Sequence, residues 1–112
     1  MGPEAELIGE VLAGIDPDKE SKLMKAWYAY MEEHLDFLFK AEVDEYQSRG
    51  PLRSGDRVRV LDLVMADDMY GLIVELRHKR QHYDFPLGDL VLDTRSENHR
   101  IVQAYRVWFA NR

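Results

Sequence analysis

Pro51-Leu52-Arg53-Ser54-Gly55-Asp56-Arg57-Val58-Arg59-Val60 is the stretch that decides the fold. Pro, Ser, Gly and Asp in succession specify a tight turn. Val58 and Val60 then alternate with Arg57 and Arg59, a period of two with one apolar and one wet face, which predicts a strand. After Val60 the phase slips, because Leu61, Leu63 and Met65 hold the apolar places. The slip predicts a bulge or a strand that becomes buried on both faces. Leu72-Ile73-Val74-Glu75-Leu76, Tyr83-Asp84-Phe85-Pro86-Leu87 and Leu90-Val91-Leu92 follow at short intervals. Closely spaced short strands of this kind read as a small antiparallel meander or barrel, on which the rest of the chain must pack.

Upstream, Leu7, Ile8, Val11, Leu12 and Ile15 recur at helical spacing, and the run ends near Gly14. Asp16-Pro17-Asp18 reads as a restart, with Asp as N-cap and Pro at the first helical position. Leu23, Trp27, Tyr30, Met31 and Leu35 form the apolar stripe of the helix that follows, which points to a core role. Beyond Asp36 the period changes to two: Phe37, Phe39, Ala41 and Val43 face inward, with Glu42 and Asp44 on the wet side. Glu45–Gly50 is a polar connection. Thr94-Arg95-Ser96-Glu97 fits a capping box, ahead of an amphipathic helix carrying Ile101, Val102, Tyr105, Trp108 and Phe109. The 112 residues thus form one α+β domain: a helical extension over 1–15, a helix over 16–35, a β barrel over 36–93 and a C-terminal helix over 94–111.

The formal charge is −6, unevenly spread. Residues 1–48 carry twelve acids against four lysines, a net of −8, whereas residues 49–112 have eleven basic and nine acidic side chains, a net of +2. An acidic front half favours cations or basic partners and disfavours nucleic acid, which selects a basic face. With no cysteine, disulfides, thiolate zinc sites and thiol catalysis are excluded. No apolar run is long enough to span a bilayer, and the acidic N-terminus lacks the basic start of a signal peptide. A cytoplasmic protein without a membrane partner is the expectation.

Glu32, Glu33 and Asp36 crowd the C-terminal turn of the second helix. Carboxylates there oppose the helix dipole at about 0.3–1 kcal/mol each. Helix stability does not account for them; a bound cation would. Asp67 and Asp68 lie in the loop Ala66-Asp67-Asp68-Met69-Tyr70-Gly71, which does not follow the EF-hand pattern. A calcium site would therefore draw on separated segments, with carbonyls and water completing the six to eight oxygens that Ca²⁺ takes. His78 and His82 are four apart in a strand–turn without a third ligand, which argues against zinc. No serine sits in a nucleophile elbow. The basic run Arg77–Arg80 offers a surface to an acidic peptide or RNA.

Taken together, these signals resemble the small calcium-binding proteins of the cyanobacterial CcbP type. Trp27-Tyr28-Ala29-Tyr30-Met31-Glu32-Glu33-His34-Leu35 is similar to that family's W-Y-x-Y-[LM]-E-[ED]-x-L helix end. Phe37-Leu38-Phe39-Lys40-Ala41 is similar to F-P-F-x-A, with Leu38 in place of Pro. Pro51 to Val60 resembles P-L-x-x-G-D-x-V-x-V, and Phe85-Pro86-Leu87-Gly88-Asp89-Leu90 resembles V-P-L-x-x-L. The match runs in unbroken order over about residues 20–110. It implies an SH3-like barrel flanked by helices and a calcium-sequestering or calcium-sensing role without EF-hands or catalysis. Carried over by position, Glu32, Glu33, Asp67 and Asp68 would supply oxygens to Ca²⁺, with Asp36 beside them on the physical argument above. The acidic loop after Met65-Ala66 is shorter than the family pattern, and fewer carboxylates lower calcium affinity. The alternative is an SH3-like interaction module that binds a protein or nucleic acid through its barrel loops and takes up no calcium.

Overall fold

In a computed structural model, which describes residues 2–44 and 51–112, the phase slip after Val60 becomes a physical break in the sheet. Strand β2 (Arg57–Asp67) pairs antiparallel with β1 (Phe39–Val43) and with β3 (Gly71–His78). Its register against β3 shifts between Val60 and Asp62 and again between Leu63 and Met65. Each extra residue turns the strand, so Val58, Val60 and Leu63 all reach the core while Asp62 stays outside. Of the two outcomes expected for this strand, the bulge is the one found; Met65 is 47% exposed.

Strands β4 (Gln81–Pro86) and β5 (Leu90–Val91) complete the sheet in the order β4-β3-β2-β1-β5, joined by a single 3-10 turn at Leu87–Asp89. All neighbours are antiparallel. Among the described residues the ladder is not closed, because β4 and β5 remain its two edges. The closed barrel expected from the sequence is thus an open five-stranded sheet: β5 has two residues and spends them on β1. In β1 the alternation is as read, with Phe39, Ala41 and Val43 buried and Lys40 and Glu42 outside. Phe37 lies before the strand, half-buried against Phe39. The polar connection expected over Glu45–Gly50 lies outside the described residues.

Three helices cover the inner face: α1 (Pro3–Val11), α2 (Glu20–His34) and α3 (His99–Asn111). Helix α2 presents Leu23, Met24, Trp27 and Met31 to the sheet. Trp27 is fully buried, its ring 5.5 Å from Tyr105 and 5.9 Å from Trp108. Burial of apolar side chains such as these, at about 1.5–3 kcal/mol each, is the main attraction between the helices and the sheet. The helix starts at Glu20 rather than at Pro17: Asp16 Oδ1 accepts the Asp18 amide, closing a local turn first.

The capping box expected at Thr94–Glu97 does not form. Asp93 Oδ1 accepts the Arg95 amide and Ser96 Oγ accepts the Asn98 amide, so these residues make turns and α3 begins at His99. Asn98, at the N-cap position, makes no side-chain cap; its amide group is used elsewhere. Among the described residues no helix is long and apolar enough to cross a membrane.

Candidate metal-binding carboxylates

The end of α2 presents Glu32 and Glu33 to solvent, and Leu35 caps the helix by donating its amide to the Met31 carbonyl. Asp36 follows at once. Its backbone is gripped by the side chain of Asn98, whose Oδ1 accepts the Asp36 amide at 2.9 Å and whose Nδ2 donates to the Asp36 carbonyl at 3.0 Å. The grip fixes where the Asp36 carboxylate leaves the chain while leaving that carboxylate exposed.

Asp67 and Asp68 stand where β2 turns into β3. Asp67 Oδ1 accepts the amides of Met69 at 2.8 Å and Tyr70 at 2.9 Å. These two bonds hold its carboxyl below the usual carboxylate range, so it is a fixed anion at neutral pH. The loop then enters β3 through Gly71 at φ +76°, a left-handed conformation. A Cβ on Gly71 would collide with Tyr105 Oη and meet the Phe109 ring at 2.6 Å. Tyr105 approaches this closely because its hydroxyl accepts the Leu72 amide at 2.9 Å. Glycine and tyrosine together therefore set the position of the acidic loop.

Asp67 and Asp68 line a cleft of about 360 Å³ with Glu20, Ser21 and Lys25 across it. Glu20 did not stand out in the sequence, where an acid in the first turn of a helix is explained by the dipole alone. In the fold it is ion-paired with Arg112, which also rests on the Phe109 ring and donates from Nη2 to the Met69 carbonyl at 3.4 Å. One arginine thus spans Glu20 and the acidic loop.

The five carboxylates singled out in the sequence occupy two places. Asp67 and Asp68 face the first turns of α2, and Tyr28 further along donates to the Val64 carbonyl at 3.4 Å. At 1.5 Å per residue, Glu32 stands about 10 Å along the helix axis from Lys25, toward the other end. Among the described residues no three carboxylates or histidines are gathered as a ready metal-holding group. Several other acids already have partners: Asp44 pairs with Arg106, Asp93 with Arg95, and Glu75 lies 2.9 Å from the His82 ring. His78 Nδ1 lies 3.1 Å from the Arg57 carbonyl and His82 Nδ1 lies 2.9 Å from Glu75. The donor chemistry of the cleft suits a hard cation: ionised carboxylate oxygens, one of them held in place by backbone amides.

An antiparallel sheet backed by helices, with exposed carboxylates, defines a small acidic α+β protein. The family model described as calcium binding, of the CcbP type, matches residues 7–109. The chain belongs to that calcium-binding family. The crystal structure of Anabaena CcbP is similar at a TM-score of 0.71 and 18% identity, covering 94% of this chain and 90% of that one. A calcium-binding protein in its calcium-binding form is similar at a TM-score of 0.72 and 18% identity, covering 99% and 97%. At that identity the two structures speak for the fold. Comparison with curated proteins gives no match.

Proposed function

We propose that the chain binds Ca²⁺ through Asp67 and Asp68, with Glu20 contributing from across the cleft, and serves to sequester or sense calcium without catalysis. Glu32, Glu33 and Asp36 lie toward the other end of α2 and are not gathered with one another, so an ion taken up there would draw most of its oxygens from water and carbonyls. The observation that carries the reading is Asp67: a carboxylate kept ionised and aimed by two backbone amides, beside a second aspartate, in a chain of a calcium-binding family. When bound, the ion supplies positive charge to the loop. The chain's own part is to hold Asp67 still, to let Glu20 exchange Arg112 for the ion, and to complete the coordination with carbonyls and water.

The strand order with a 3-10 turn ahead of the last strand supports reading the sheet as an SH3-like barrel left open at one seam. Titration calorimetry with Ca²⁺ and Mg²⁺ tests the function: saturable calcium heat, with affinity at least tenfold weaker in Asp67→Asn and in Asp68→Asn, is expected. Absence of heat at millimolar calcium contradicts it.

A further inference from the structure

The outer face of the sheet, away from the carboxylates, carries an opposite charge. A cleft of about 830 Å³ opens there, within the size range of small-molecule sites. Its cations arise from strand register. Lys40 of β1 stands directly opposite Arg59 of β2, and Arg59 stands directly opposite Arg77 of β3. The row ends on His82 of β4, opposite Arg77. Like charges opposed across a ladder destabilise it, and in this protein three adjacent strands do it at one level. None of Lys40, Arg59 and Arg77 makes an ion pair with a described residue. The lining also holds two acids: Asp93 takes Arg95 through two hydrogen bonds and Glu42 stands across the ladder from Arg57, both arginines belonging to the same lining, so six cations face two acids there. Lys79, at φ +58° in the β3–β4 turn, adds a further cation to the lining.

We infer that this cleft is a binding site for a soluble small molecule carrying a di- or triphosphate. Neighbouring strands are about 4.8 Å apart, so three long cationic side chains can converge on one point. A phosphate group brings close to two charges and three acceptor oxygens to that point, whereas a carboxylate brings one charge and two oxygens. No aromatic side chain lines the cleft, so it lacks the stacking platforms of single-strand nucleic-acid grooves. The net charge of −6 also repels a long polyanion, while a compact ligand meets mainly the local field.

Sodium tripolyphosphate is the probe, titrated calorimetrically into the chelator-treated 112-residue chain at about physiological ionic strength without divalent ions. Saturable binding is expected, weakened at least tenfold in Arg59→Gln and in Arg77→Gln. Arg80→Gln, in the same turn as Lys79 but outside the cleft, should bind as the parent does. Both row variants should melt at or above the parent temperature, because each removes a repulsion. No binding, equal loss in Arg80→Gln, or a lower melting temperature in both row variants would overturn the proposal. So would tighter binding of citrate, of a single-stranded oligonucleotide or of phosphatidylserine vesicles than of tripolyphosphate.

Discussion

The side chain of Asn98, 3% exposed, closes a pair of hydrogen bonds on the backbone of Asp36, ties the start of α3 to the end of α2, and spans 62 residues of chain. An asparagine suits this position because it must donate and accept at once. Asn98→Ala leaves a partly buried amide and carbonyl without partners and should cost about 2–3 kcal/mol in urea unfolding. Asn98→Asp keeps an acceptor for the Asp36 amide and loses the donor to its carbonyl, so it should also destabilise. Equal midpoints for parent and both variants would show that the clasp contributes nothing.

Gly71 and Tyr105 make a second joint. Gly71→Ala places a methyl group inside contact distance of Tyr105 and Phe109 at a left-handed φ. Strain and overpacking together predict a loss of about 2–4 kcal/mol. Tyr105→Phe is gentler: it removes the acceptor of the buried Leu72 amide and should cost about 1–3 kcal/mol. Calcium affinity should fall in the glycine variant more than in Tyr105→Phe, because the glycine adjoins the acidic loop.

Acid should weaken the fold in a defined window. The hydrogen bonds and charge of Arg95 bring the Asp93 carboxyl down to about 2, and the amides of Tyr70 and Met69 lower that of Asp67. A carboxyl whose folded pKa is depressed contributes stability above its unfolded value, near 3.8, and loses it as pH falls through the folded value. Unfolding midpoints should therefore hold above about pH 5 and decline toward pH 2. The double variant Asp67→Asn, Asp93→Asn should flatten that decline; an unchanged pH profile would refute the assignment.

Arg112 is a competitor for calcium on this account, because it occupies Glu20. Arg112→Gln frees the carboxylate and should tighten Ca²⁺ binding several-fold, while Glu20→Gln should weaken it. Weaker binding in Arg112→Gln would show that the arginine organises the cleft instead of blocking it.

The strands were legible because their period survives in the sequence: Phe39, Ala41 and Val43 in β1, and Val58 and Val60 in β2, are buried as the alternation requires. Even the bulge left a trace, since an added residue reverses the phase. The start of α3 was not legible. Thr94-Arg95-Ser96-Glu97 satisfies a local rule, but Asp93 and Ser96 bond their own neighbours in a turn, a competition that residue type alone does not resolve. Closure of the sheet depends on the length of β5, which a run as short as Leu90-Val91-Leu92 leaves open. For the carboxylates, charge showed which residues to consider and not which ones meet. The direction of α2 across β2 decides that, placing Glu20 near Asp67 and Asp68 and leaving Glu32, Glu33 and Asp36 at the far end.

Calcium titration of the parent chain and of Asp67→Asn, followed by calorimetry with magnesium as the competing ion, is the decisive measurement. The asparagine keeps an oxygen for the Met69 and Tyr70 amides, so the loop is retained and a single charge is lost. The account predicts saturable calcium binding that survives millimolar Mg²⁺ and drops at least tenfold in Asp67→Asn. Undiminished binding in the variant would contradict it.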